Sequence, residues 1–228
     1  MVQSMPVLVK PLLFSARVFG ITLSRVGRRL SSPRRAGQKH GDLRRALLQA
    51  ATELLLAGGE VSLRAVARRA GVAPAAPYHH FPDKEALVFA LAEDGFRGLE
   101  QAQSEAVEGE ADPKARLRAM LETYLRYALA HGDHYRMMFP PQIGDPSSPW
   151  NAVATAAFQR LSMSVAAVRI GLTPVFVMKL ATAVWALCHG VVLLRLDGLL
   201  VGAGPFATDA ELIMHTTSSA EAIIERTL

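Results

Sequence analysis

Apolar residues recur every three or four positions along most of this chain, and no useful length alternates, so the pattern predicts helices and no sheet. The periodicity starts near Asp42. Leu43, Leu47, Ala50, Ala51, Leu54 and Leu55 share one face, Arg44, Arg45 and Glu53 the other, and Gly58-Gly59 stops the helix. Ser62 is placed to cap a second, short helix, although Ala65 three positions on means there is no capping box. That helix turns Leu63, Val66, Ala67 and Ala70 inward and Arg64, Arg68 and Arg69 outward. A turn through Gly71 leads to a third short helix starting near Pro74, carrying Tyr78, His79 and His80 and ended by Phe81-Pro82. Asp83 caps a long fourth helix through Leu87, Leu91, Phe96 and Leu99 to about Val107.

Residues 109–113 break the pattern, and helices follow over 115–130 and, after Gly132-Asp133, in a short apolar piece over 135–139. Pro140-Pro141 and a loop over 144–149 precede helices over 151–170 and, from Thr173-Pro174, to about Leu200; the last runs from Thr208 or Asp209 to near Arg226. The expected architecture is all-α, about nine helices without repeats. It divides into an arm over 1–41, a helical unit over 42–100 and a helical bundle over 101–228.

The segment 62–84, SLRAVARRAGVAPAAPYHHFPDK, carries the chemistry. Two helices joined by a tight Gly-containing turn form the helix-turn-helix layout, whose second helix enters the major groove and must be slim there. Ala73, Pro74, Ala75 and Ala76 meet that need. They can touch thymine methyls but make no bidentate hydrogen bonds, so discrimination leans on DNA shape, on Arg64 and on His79 and His80. Ser62, Tyr78, His79 and Lys84 can donate to phosphate oxygens, which sets register without reading sequence.

From about Asp42 to Leu99 the chain resembles the DNA-binding domain of TetR-family transcriptional regulators, in the words LLQAATELLLAGG, SLRAVARRAGV and APAAPYHHFPDKEAL. The resemblance implies phosphate contacts at Tyr78, His79 and Lys84 and a groove face of Ala73 to Ala76 with Arg64. Pro77 departs from the family pattern, which sets aside a base contact there. Trp185-Ala-Leu-Cys-His189-Gly190 is similar to the Trp…His-Gly element of one TetR-type C-terminal domain, which implies a helical ligand-binding and dimerisation domain.

Charge and composition change this picture at one end. Residues 1–41 hold eight Lys and Arg and no acid; with a net charge of +5 overall, the rest of the chain is at −3. Two readings stand for the arm: a solvated, disordered tail, or an Arg-rich extension onto phosphates or the minor groove. Its apolar start is split by Arg17 and followed by no cleavage pattern, so export is not expected. The lone Cys188 makes an internal disulfide impossible and points to a reducing, cytoplasmic setting. Residues 180–194 form the longest uncharged run of the C-terminal half, too short for a membrane span of about 20 residues, so a core helix and no membrane are expected.

The apolar second half offers Tyr124, Met137, Met138, Phe139, Phe158, Trp185 and His189 as walls of an internal pocket, alongside the plainer reading that they fill a core. His189 needs a hydrogen bond from protein, water or ligand, since an unpartnered buried imidazole is costly. The helix over 174–200 is apolar nearly all round; it serves as a dimer interface or as the central core helix. A short recognition helix offers few base contacts, which favours a homodimer on a palindromic double-stranded operator. The expected function is a transcriptional regulator, a repressor relieved by an unidentified small, largely apolar effector, and the alternative is a constitutive dimeric DNA-binding protein without a pocket. No nucleophile elbow, phosphate loop or metal spacing occurs, so no enzyme, cofactor, catalytic residue or metal site is expected.

Overall fold

The computed structural model describes residues 40–139, 149–200 and 206–226, and among these residues every regular element is helical. Eight α-helices follow in order: α1 His40–Leu56, α2 Leu63–Ala70, α3 Lys84–Ala106, α4 Pro113–Ala130, α5 Gly132–Met138, α6 Pro149–Val168, α7 Pro174–Leu196 and α8 Asp209–Arg226. A single 3-10 turn, Ala76–His79, lies between α2 and α3. Apart from His40 and Gly41, which open α1, the basic arm lies outside the described residues, as does most of the loop expected over 144–149.

Side-chain caps set most of the starts. Ser62 Oγ accepts from the Ala65 amide at 3.2 Å, Asp83 Oδ1 from Ala86 at 2.8 Å, and Thr173 Oγ1 from Phe176 at 3.4 Å. Asp112 does the same for Lys114 and Ala115, so Pro113, expected inside a break, is the first residue of α4; a proline loses nothing there. The start of α5 also moves, from residue 135 to Gly132, and α7 stops at Leu196 rather than Leu200, before Gly198 at φ +75°.

Two apolar clusters organise the chain. The first joins α1, α2 and the start of α3 through Leu47, Val66, Phe81, Leu87 and Leu91, all 2% exposed or less. Arg69 ties α2 to Glu53 of α1 at 2.7 Å, and the Arg44 guanidinium lies 5.5 Å from the Phe81 ring centroid. The second cluster packs the far half of α3 against α4 to α8, around Leu117, Leu125, Tyr135, Val165, Val184 and Ile224. α3 therefore belongs to both, with Leu87 and Leu91 in one and Phe96 and Leu99 in the other.

Among the described residues α7 alone has the length and apolar composition to cross a membrane. Its Val177, Leu180, Ala181, Val184, Cys188 and Val192 are buried, and it packs against α4, α6 and α8. Other apolar positions of α7, Val175, Met178 and Leu194 among them, are exposed.

Candidate nucleic-acid interface and effector cavity

The expected third helix is a four-residue 3-10 turn, and proline is the reason. A full α-turn needs i to i−4 bonds, and neither Pro74 nor Pro77 has an N–H to give. The amides that remain bond at the shorter spacing: Ala76 to Ala73 O at 2.9 Å, Tyr78 to Ala75 O at 3.2 Å and His80 to Pro77 O at 3.0 Å. Only Phe81 reaches back four, to Pro77 O at 2.9 Å. The Pro77 ring is itself buried, which removes it from any outward contact.

The turn before it is set by Gly71, at φ +69° and ψ 35°, where a side chain would be strained. The Val72 amide bonds Ala67 O at 3.0 Å and that of Gly71 bonds Arg68 O at 3.3 Å, closing the end of α2. The exposed face that results carries Arg64, Ala73, Pro74, Ala75, Tyr78, His79 and Lys84, while Ser62, Ala76 and His80 are half-buried. Tyr78 is 50% exposed, unusual for an aromatic beside a well-formed core. Ser62 combines two capacities: its oxygen caps α2 and its O–H remains to donate outward.

The second half holds a cavity of about 470 Å³ between α3, α4, α6 and α7, within the ~300–1,000 Å³ of small-molecule sites. Of the seven residues expected there, Tyr124, Phe139, Phe158 and Trp185 line it. Met137 does not: it packs against the first cluster, in a helix that touches α1 and α3. Met138 is fully buried against α3, so close that a Cβ on Gly95 would lie 2.9 Å from its Cγ and Sδ. His189 sits behind the wall, with its ring centroid 4.7 Å from that of Phe139 and 5.4 Å from that of Trp185. Sequence reasoning missed Phe96, Leu99 and Gln103 of α3, Met120 and Leu121 of α4, Cys188 of α7 and the α6 face including Leu161. These are ordinary helix-face residues, and nothing in their spacing separates cavity from core.

The histidine is satisfied from within. The Tyr135 hydroxyl lies 2.6 Å from His189 Nδ1, and the Tyr124 hydroxyl bonds that of Tyr135. Burial pushes the pKa of both phenols up and that of the imidazole down, so all three groups are neutral near pH 7. Burial likewise pushes the Cys188 thiol up to about 12, leaving it a small apolar wall residue.

α5 touches both regions. His134 Nε2–H donates to Leu91 O of α3 at 2.6 Å, Met137 meets the first cluster, and Tyr135 and Phe139 face the cavity wall. Among the described residues no group of His, Cys, Asp and Glu is arranged to hold a metal.

A helical chain with this head and this slim, exposed, cation-flanked face is a DNA-binding regulator of the helix-turn-helix class. Residues 47–91 match the family of bacterial regulatory proteins called tetR, and residues 117–218 match the tetracyclin repressor-like C-terminal domain. The chain belongs to the TetR family of transcriptional regulators. It is similar to a solved protein of unknown function from Rhodococcus sp. RHA1, with 33% identity over 81% of this chain and 95% of that one, and a TM-score of 0.66. A tetR-family transcriptional regulator from Streptomyces coelicolor shares the fold at 24% identity, covering 82% of each chain with a TM-score of 0.65. So does a TetR-like transcriptional regulator from Rhodococcus sp. RHA1, at 17% identity over 84% of this chain and 100% of that one, with a TM-score of 0.63.

Proposed function

We propose that this regulator is a homodimeric repressor that binds a palindromic operator and releases it when a small, largely apolar effector occupies the cavity. Residues 42–100 serve as the DNA-reading domain and 101–228 as the effector and dimerisation domain, in the cytoplasm. Tyr78, His79, Lys84 and Ser62 hold phosphates, and Arg64 with Ala73 to Ala76 faces the groove, with His80 at its edge. This role for the Ala/Pro face means sequence choice rests on shape and methyl contacts more than on base hydrogen bonds.

The observation that carries the reading is the path through α5. One seven-residue helix packs Met137 on the head's cluster while its Tyr135 and the following Phe139 meet the cavity wall. A ligand that moves this helix differs in affinity between the two head positions, and that difference is all it has to shift the equilibrium. The cavity also speaks against the alternative of a constitutive binder, which needs only a filled core. Dimerisation through α7 and α8 is supported by the small exposed residues Thr182, Ala183 and Ala186 on α7 and Ser218 on α8, beside the exposed apolar Met178 of α7 and Met214 of α8.

Selection of bound DNA from a random pool, followed by footprinting with and without a metabolite panel, tests the proposal. The expected result is a protected inverted repeat with half-sites about one helical turn apart. Protection of an unpaired site, or an affinity indifferent to every compound that binds the protein, refutes it.

A further inference from the structure

Every hydrogen-bonding side chain on the cavity wall is uncharged. These are Gln103, Tyr124, Asn151 and Thr155, with the Trp185 indole and the Cys188 thiol, and among the described residues no Asp, Glu, Lys or Arg lines the space. The nearby Arg160–Glu100 pair, 2.5 Å apart, belongs to a smaller adjoining cleft and neutralises itself. Gln103 Nε2 already donates one N–H to Met120 O at 3.1 Å, which leaves its second N–H and its amide oxygen, both neutral. The rings of Phe96, Phe139, Phe158 and Trp185 and a set of Leu, Met and Ala side chains supply the apolar wall.

Tyr124 is the adaptable partner. It ends the chain that runs from His189 Nδ1 through the Tyr135 hydroxyl. With the imidazole proton on Nε2, Nδ1 accepts from Tyr135, the Tyr135 oxygen accepts from Tyr124, and the Tyr124 oxygen, which also meets the Trp185 side chain, is left with one lone pair. With the proton on Nδ1 the order reverses, and the Tyr124 O–H is left to donate. Either tautomer offers a ligand one neutral hydrogen bond, and neither offers a counter-charge.

We infer that the effector is an uncharged, mainly apolar molecule of two or three rings, with one hydroxyl, amide or carbonyl group that meets Tyr124, and that ionised forms of the same skeleton are rejected. The inference rests on the reading of the cavity as the effector site. A carboxylate or ammonium entering this space sheds its hydration and finds no partner of opposite sign, the costly case for burial. Ring faces attract cations, but an ammonium here has only that attraction to set against its lost water.

Calorimetric titration of the full chain with matched probes tests this: 4-phenylphenol, biphenyl, biphenyl-4-carboxylate and 4-phenylbenzylammonium, all at pH 7. The phenol is expected to bind roughly 100-fold or more tighter than either ion. Tyr124→Phe is expected to weaken the phenol by about 3- to 10-fold, the worth of one neutral hydrogen bond, and to leave biphenyl unchanged. Ala157→Phe, which fills the space, removes phenol binding. If either ion binds as tightly as the phenol, or if Tyr124→Phe weakens both neutral probes equally, the inference is overturned while the cavity remains a ligand site. If no probe binds, or if Ala157→Phe leaves phenol binding intact, the effector-site reading falls and the inference with it.

Discussion

Replacing Gly71 by alanine isolates the backbone term in the helix-turn-helix. Gly71 sits at φ +69°, in the left-handed region, and a Cβ built there meets nothing within 4 Å. The substitution therefore adds no clash, and its cost is conformational alone: about 1–2 kcal/mol for an L-residue held in that region. Alanine also narrows the unfolded ensemble, which returns about 0.4–1 kcal/mol. The net expectation is a loss of about 1 kcal/mol, or a fall in Tm of about 2–4 °C for a chain of this size. Asparagine visits the left-handed region more readily, so Gly71→Asn should recover part of the loss. Thermal and urea denaturation of the three proteins side by side give the order glycine, asparagine, alanine. Alanine as stable as glycine would refute the argument, because it would mean that the turn relaxes to negative φ at no cost. A loss of several kcal/mol would refute it too, by revealing contacts that the open space around Gly71 does not contain.

Three further outcomes follow from the site. Lys84→Ala should weaken DNA binding uniformly across operator sequences and reduce the slope of log K against log salt by about 1, measured by fluorescence anisotropy; an unchanged slope removes Lys84 from the phosphate contacts. Burial lowers the His189 pKa, so the unfolded chain takes up a proton at higher pH than the folded one, and stability should fall as pH drops below about 6.5. His189→Gln should flatten that part of the stability–pH curve, and an unaltered curve would place the proton uptake elsewhere. Tyr135→Phe removes the link between Tyr124 and His189, whose polar atoms lie 3.5 Å apart, and should cost about 1–3 kcal/mol by urea denaturation. A neutral result would mean that those two groups close the gap by themselves.

The elements were legible wherever their signals are local. Ser62 and Asp83 are read as caps from the chain and act as caps in the structure, because a cap needs only its own side chain and an amide two or three residues on. The prolines were read less well. Pro113 starts a helix where a break was expected, and Pro77 converts a recognition helix into a 3-10 turn. In both cases the missing N–H is plain in the sequence, but its consequence depends on which carbonyl would have received the bond.

What the amino-acid sequence determined by itself is the helix-turn-helix and its chemistry: the inward and outward faces of 63–70, the glycine turn, and the small residues followed by Tyr78, His79 and Lys84. These lie within 23 consecutive residues, so periodicity, turn chemistry and residue type act together over one short span. The cavity was decided by the tertiary structure alone. Its walls come from four helices, with Phe96 and Cys188 nearly a hundred residues apart, and it exists because those faces stop short of one another. Met137 and Phe139 make the point at close range. Two positions apart in one apolar segment, they look alike in the sequence, yet Met137 within α5 meets the DNA-reading head, while Phe139, where the chain leaves the helix at φ −124° and ψ 63°, lines the cavity. Helix periodicity says that both faces of such a segment are buried; only packing against α1, α3 and α4 decides which partner each face meets.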